Sequence, residues 1–418
     1  MLENLKMRKI FILLKLKAKV ANVLIKKRLL LTVIFYFFTT AVIASDQNFQ
    51  LHGFAAQGLI NVNGSNFVND DGSLSTELTE IGLNASYQLS SSFRLAGQVV
   101  HLDGGNRYND GVRVDYALLD WSAYSNEYWQ VNLYVGRYKN YHWLYSSTRD
   151  VPFTRPSIIL PQSVYFDGFR DIAVGADGVA VKISHSSDDL GYFDFNMSTG
   201  ASSISDEQTK IILSDFAFGK MKHTYDLQAS LYWQPLLSPW RFGIALLDSD
   251  FEYNAAETGD VFINANITLQ RYMANILYEG ERWEFSGEIL QERFVFDGFY
   301  YEGAHRDTIG QGMFVQSQYK VNQDLTLLLR YERIYVNKDD KKGHDLEDST
   351  QGLVPSYFAY QYDATVGFSC DLAENFRMQF EYHYIKGTAR LTPVVLPNPK
   401  INNSENWQLW AVQLMYWF

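Results

Sequence analysis

The chain has 418 residues, a net charge of −11, an aromatic content of 16% and a single cysteine, Cys370. So many aromatics exclude a disordered chain, and the acidic balance excludes a nucleic acid partner held through its phosphates. One cysteine excludes both an intramolecular disulfide framework and a cysteine-built zinc site.

The first 28 residues are basic and end on Lys26, Lys27 and Arg28. Residues 29–43 are apolar apart from Thr32, Thr39 and Thr40, and the stretch closes on Val42, Ile43 and Ala44. Basic, apolar and small in that order predict a secretory signal peptide, 1–44, cleaved after Ala44. About 15 apolar residues are short for a retained membrane helix. The basic region is long enough for translation to begin at Met7 or later. Residues 1–44 hold nine Lys/Arg and one Asp/Glu, so their removal takes the net charge to −19. No later run approaches the roughly 18 consecutive apolar residues of a membrane helix. Strands that are apolar on one face only escape such a window.

From residue 49 to the end, short segments of alternating hydrophobicity recur. A long polar connection, 63–76, follows the first. A short turn at 90–92 and a long connection at 103–112 come next, then a short turn at 124–128. The fifth segment opens on Trp129 and leads to the longest connection in the chain, 139–171. After it the turn 185–190 is short and 200–223 is long. Tyr225, Leu227, Ala229, Leu231 and Trp233 then alternate with Asp226, Gln228 and Ser230.

The turn 234–239 precedes Trp240, and 248–268 reads as long, with 261–268 either a strand extension or a hairpin inside it. Trp283 follows the short turn 279–282, and 294–309 reads as long. Beyond the turn 322–324, Leu325, Leu327, Leu329 and Tyr331 share a face opposite Thr326, Arg330 and Glu332, with Leu328 the apolar exception. A long connection, 337–357, and a short turn, 373–375, come before the next alternation. It sets Phe376, Met378, Phe380, Tyr382 and Tyr384 against Arg377, Gln379, Glu381 and His383. The last long connection is 387–406.

Period-two alternation marks strands with one apolar face. Aromatics just after short turns (Trp129, Trp240, Trp283, Phe376) suit an interfacial girdle, and regular alternation of short and long connections suits an outer-membrane barrel rather than a soluble sandwich. Eight long and seven short connections predict sixteen strands, an all-β, transmembrane, antiparallel up-and-down β-barrel formed by 45–418. The 374 residues after the signal allow about 23 per strand with its connection, enough for tilted crossings of about 9–11 residues. A sixteen-stranded barrel is wide enough for a water-filled lumen.

In the final segment Trp410, Val412, Leu414, Tyr416 and Phe418 alternate on one face, and the chain stops on Phe. Here the sequence resembles the Gram-negative outer-membrane porins of the sixteen-stranded type. The resemblance implies that Tyr416 and Phe418 belong to the signal read by the barrel-assembly machinery. It also implies a cell outer membrane location among lipid and lipopolysaccharide, a homotrimer, and passive diffusion of small hydrophilic solutes or ions without a cofactor. In those porins the loop after strand five, the third long loop, folds inward and narrows the pore, which is the place of 139–171 here.

Within that loop Pro152, Pro156 and Pro161 deny sheet pairing. Phe153, Ile158, Ile159 and Leu160, interleaved with charges, argue for a packed segment. If it enters the lumen, Arg149, Asp150, Arg155, Asp167, Arg170 and Asp171 are the candidates for a pore constriction, where fixed charge sets ion selectivity. The competing reading is mutual pairing, Arg149 with Asp150 and Arg170 with Asp171, to fix the loop's shape. Strand phase puts Arg94, Lys182, Arg241, Arg271, Arg330 and Arg377 on the lumen wall. On the acidic side it puts Glu80, Asp226, Glu284, Glu288, Glu292, Glu332, Asp363, Asp371 and Glu381 there. The acidic surplus points to a weak cation preference.

A barrel hydrolase is the second hypothesis, resting on His383, Glu381 and Ser369, and needs a base within reach of its nucleophile. The eight histidines show no ligand spacing for a metal, and the acidic stretches 69–72 and 339–345 lack a full calcium-loop pattern. A plugged active transporter needs about 22 strands, too many for this length. A non-conducting structural or adhesive barrel is separated from a porin by whether the folded protein conducts.

Overall fold

The computed structural model describes residues 48–418, apart from Val174 and the side chains of Asp171 and Ala173. The predicted signal peptide, 1–44, lies outside the described residues. Among the described residues sixteen strands are formed. The first eight are β1 (Phe49–Asn63), β2 (Thr79–Gln88), β3 (Phe93–Asp103), β4 (Gly111–Ser125), β5 (Trp129–Lys139), β6 (Gly175–Ser187), β7 (Gly191–Ala201) and β8 (Lys220–Gln234). The others are β9 (Trp240–Asn254), β10 (Ala265–Glu279), β11 (Trp283–Gly298), β12 (His305–Lys320), β13 (Leu325–Tyr335), β14 (Tyr360–Ala373), β15 (Phe376–Gly387) and β16 (Asn406–Trp417). All seven predicted short turns fall at strand ends within a few residues.

Strand order follows the sequence around a closed barrel. The ring is completed by antiparallel pairing of β1 with β16, from Phe54 opposite Trp417 to Asn63 opposite Gln408. Closure leaves no edge strand with unpaired backbone groups.

The alternation read in the sequence becomes two opposite surfaces. On β13, Leu327, Leu329 and Tyr331 are exposed, whereas Arg330 and Glu332 are 1% and 2% exposed. Apolar side chains therefore face outward and charges inward, the reverse of a water-soluble barrel and the arrangement lipid demands. At the short-turn end, the rings of Trp129, His185, Phe193, Trp233 and Phe242 follow one another across β5 to β9, with centroids 4.0–6.3 Å apart. They form part of the expected girdle.

Two predicted long connections are shorter than read. The stretch 248–268 contains a loop only over 255–264, because β9 runs on to Asn254 and β10 opens at Ala265. Residues 265–268 are thus strand extension. Likewise β11 and β12 continue to Gly298 and from His305, leaving six residues where 294–309 was expected. Charges on the outward face gave these extensions a loop-like composition. Arg293 donates to both Asp307 carboxylate oxygens at 2.9 and 2.7 Å and to Gln270 at 3.1 Å, and Gln270 donates to Asp248 at 3.0 Å. Inside the same tall wall the face is apolar. Leu247, Phe251, Leu269, Met273, Leu290 and Phe314 form one cluster with Trp143, Leu160, Val164, Tyr165, Phe166 and Phe169 of the connection after β5.

Ile289, 58% exposed, sits outward in mid-β11. Ile289→Arg is expected to destabilise the barrel in lipid by about 2–4 kcal/mol, measured as a lower urea midpoint for folding into vesicles. An unchanged midpoint would show that this face does not meet lipid.

Candidate functional site

The candidate site is the charged inner face together with the connection after β5, residues 140–174. Its prolines act as expected. Pro152 opens a 3-10 turn, Pro152–Thr154, a second turn covers Asp167–Phe169, and a short helix α1 spans Arg170–Ala173. Such a segment offers many backbone N–H groups and few internal acceptors, and buried donors must find partners elsewhere.

They find carboxylates on the strands. Glu381 on β15 accepts from the N–H groups of Ile158 and Ile159 at 3.0 and 2.8 Å. Glu332 on β13 accepts from Ser163 at 2.7 Å. Glu288 on β11 accepts from the Leu144 N–H at 3.0 Å and from the Tyr165 hydroxyl at 2.5 Å. Strand arginines hold the same segment: Arg330 donates to the Ser157 hydroxyl at 2.8 Å, and Arg377 to the Phe153 carbonyl at 3.2 Å. The loop is thus tied to three separate strands by hydrogen bonds to their carboxyl groups.

The predicted constriction residues gather in one buried cluster. Arg149, Asp150, Arg155, Asp167 and Arg170 are each 5% exposed or less, and the Asp171 side chain lies outside the described residues. Arg149 pairs with Asp167 at 2.7 Å rather than with its neighbour Asp150. Asp150 is bonded by Arg170, and by Lys139 at 3.1 Å. Arg155 reaches Glu80 on β2 at 2.6 Å. Burial alone would raise the Asp150 carboxyl, but Arg170 and Lys139 outweigh it and hold it well below the usual carboxylate range.

The wall residues divide by height. Near the short turns, Arg94 pairs with Asp120 at 2.8 Å, Lys182 lies 3.9 Å from Asp194, and Glu284 accepts from Gln318 at 2.7 Å. Arg94, Asp120, Asn132 and Lys182 line a polar cavity of about 380 Å³. Arg377 bonds both Asp371 oxygens at 2.5 and 3.1 Å. Higher up, Glu292 bridges Arg271 at 3.0 Å and Arg390 at 2.6 Å, and Arg330 lies 3.8 Å from Glu332. Arg107 and Arg390, both on loops, belong to this buried charge system and escaped the sequence reading. Strand phase marks wall positions but carries no signal for which loop arginine reaches them.

His383 has a carboxylate at each ring nitrogen, Asp363 at 2.7 Å and Glu381 at 3.1 Å. Register sets Thr365 opposite His383, while Ser369 stands opposite Gln379. The imidazole is thus not aimed at Ser369; the hydroxyl beside it is that of Thr365, 3.1 Å from Nδ1. No group of three His, Cys, Asp or Glu side chains placed to hold a metal ion occurs among the described residues.

The fold is that of the sixteen-stranded outer-membrane porins. The outer membrane channel DcaP of Acinetobacter baumannii superposes with a TM-score of 0.54 at 12% identity, over 90% of this chain and 99% of its own. An anion-selective porin from Comamonas acidovorans gives 0.55 at 12% identity, over 88% and 99%. OmpF of Salmonella typhi, solved with daunomycin, gives 0.54 at 13% identity, over 90% and 99%. No family model matches the chain, and no curated protein matches it by sequence.

Two outcomes are expected from this geometry. Glu381→Ala orphans the Ile158 and Ile159 N–H groups and one side of His383, and is expected to cost on the order of 3 kcal/mol, read from the unfolding midpoint in detergent. Glu381→Gln, which keeps an acceptor, should cost less; equal losses would deny the clamp.

The second concerns His142. Burial, reinforced by the Arg271 cation, pushes its imidazole down to about 3. A histidine held neutral in the fold contributes stability that is full above its unfolded value and is lost as pH falls towards the folded one. Between pH 7 and pH 5 His142 should therefore remove about 2 kcal/mol. Thermal midpoints at the two pH values should differ less in His142→Gln than in the parent.

Proposed function

We propose that this chain is a porin of the Gram-negative outer membrane, a passive diffusion channel for small hydrophilic solutes or ions and not an enzyme. One observation carries the reading. A closed sixteen-stranded barrel is apolar outside and charged inside, and the segment after β5 is bonded to carboxylates of that inner face on β11, β13 and β15. In this reading residues 139–171 fold inward and narrow the pore, and Arg149, Asp150, Arg155, Asp167, Arg170 and Asp171 build the constriction. Arg94, Lys182, Arg330, Arg377, Glu284, Glu288, Glu292, Glu332 and Glu381 line the wall.

A weak cation preference follows from the wall. Glu284 accepts a hydrogen bond only from the neutral Gln318 side chain, so its charge is left for the lumen to balance. Fixed charge of one sign concentrates the opposite ion in a wet pore. The signal peptide 1–44 directs export. Tyr416 and Phe418, on the strand that closes the barrel, serve as the assembly signal. The exposed apolar face suits lipid, lipopolysaccharide and two further copies in a homotrimer.

The test is conductance of the refolded protein, residues 45–418, in a planar bilayer under a salt gradient. Discrete stable steps are expected, with a small reversal potential of the sign for cation preference. A folded barrel without steps would overturn the porin reading in favour of a structural barrel. The opposite sign would overturn the selectivity alone.

A further inference from the structure

Part of the buried charge cluster described above has a geometry that solute diffusion does not require. Arg107 closes the turn Gly105–Arg107 after β3, Arg149 and Arg155 lie on the connection after β5, and Arg170 opens α1. All four are 4% exposed or less. Together with Tyr108, Glu80 and Asp167 they line one cavity of about 10 Å³, room for about one water-sized group.

The bonds between them are incomplete. Arg155 holds Glu80, Arg149 holds Asp167, Arg107 lies 3.5 Å from Asp167, and Arg170 Nη2 lies 3.6 Å from Glu80 Oε2. Arg107 Nη2, Arg149 Nη1, Arg155 Nε, Arg170 Nη2 and the Tyr108 hydroxyl, and on the acceptor side Glu80 Oε2, are buried without a hydrogen-bond partner among the described residues. Four guanidinium groups face two carboxylates on the cavity wall. The next neighbours, Lys139 with Asp115 and Asp150, reduce that positive excess but do not cancel it among the described side chains. Buried cations with orphaned N–H groups are costly unless a counter-charge joins them.

We infer that this cavity is a binding site for a single monatomic anion of halide size, held between Arg107, Arg149, Arg155 and Arg170 with the Tyr108 hydroxyl as a further donor. A bound anion offsets that positive excess. The small volume excludes phosphate, sulfate and organic carboxylates. Because Arg107 belongs to one loop and the other three to another, the bound ion braces the two loops against each other. This holds whether or not the barrel conducts.

The direct test is diffraction from crystals of the full protein grown in sodium bromide, with data at the bromine edge. An anomalous peak among the four guanidinium groups is expected. Its absence, the result if water fills the cavity, overturns the site.

The brace is tested by thermal unfolding in detergent at constant ionic strength in chloride, bromide or methanesulfonate, the last too large for the cavity. A higher midpoint in the two halides is expected, and Arg107→Gln should lose the difference while the protein still folds. Equal midpoints in all three salts overturn the brace. Should Arg107→Gln fail to fold, the bromide map and the salt comparison on the unaltered protein decide.

Discussion

Backbone pairing between β1 and β16 is the constraint on which the rest depends. A strand facing lipid cannot leave its N–H and C=O groups to solvent, since each unpaired group in an apolar medium costs several kcal/mol. The last residue takes part: the Phe418 N–H donates to the Gly53 carbonyl at 3.0 Å, and the Gly53 N–H returns the bond at 3.2 Å. Once the ring is closed, side-chain alternation has only two destinations. Apolar groups go out, and the polar groups they alternate with are confined to the inside.

That confinement explains the character of the loop after β5. Charges crowded on an inner wall must be satisfied by one another or by something brought to them. The loop brings backbone N–H groups to Glu288, Glu332 and Glu381, and its own Arg155 to Glu80. Where β9 to β12 present apolar side chains inward instead, it brings Trp143, Leu160, Tyr165 and Phe169. One segment thus meets two kinds of surface, which accounts for the mixture of prolines, arginines and large apolar residues in its sequence.

Strand number and the short turns were legible in the sequence, because period-two alternation and tight turns are local signals. The tops of β9 to β12 were misread, since outward Arg293, Asp307 and Asp248 break the pattern where the strands continue. The third loop's charged residues could be named but not their partners. Arg149 turning to Asp167 rather than to Asp150 is decided by packing, not by spacing. Arg107 and Arg390 lie on loops whose approach to the wall only the folded chain reveals. Glu381 read as an acidic wall residue and a partner of His383, although it also holds two backbone groups of the third loop.

The unequal heights of the wall have a further consequence. Strands β8 to β12 run for 15 or 16 residues, whereas β2, β3, β5 and β13 run for 10 or 11. On the tall side the outward face changes from Ile289 to the Arg293–Asp307 pair within a few residues of β11. An ion pair on that face marks a waterline, because hydrocarbon cannot solvate it. In a bilayer this boundary would set the depth at which the barrel sits, and the sheet of β9 to β12 would continue past it as a parapet clear of the hydrocarbon.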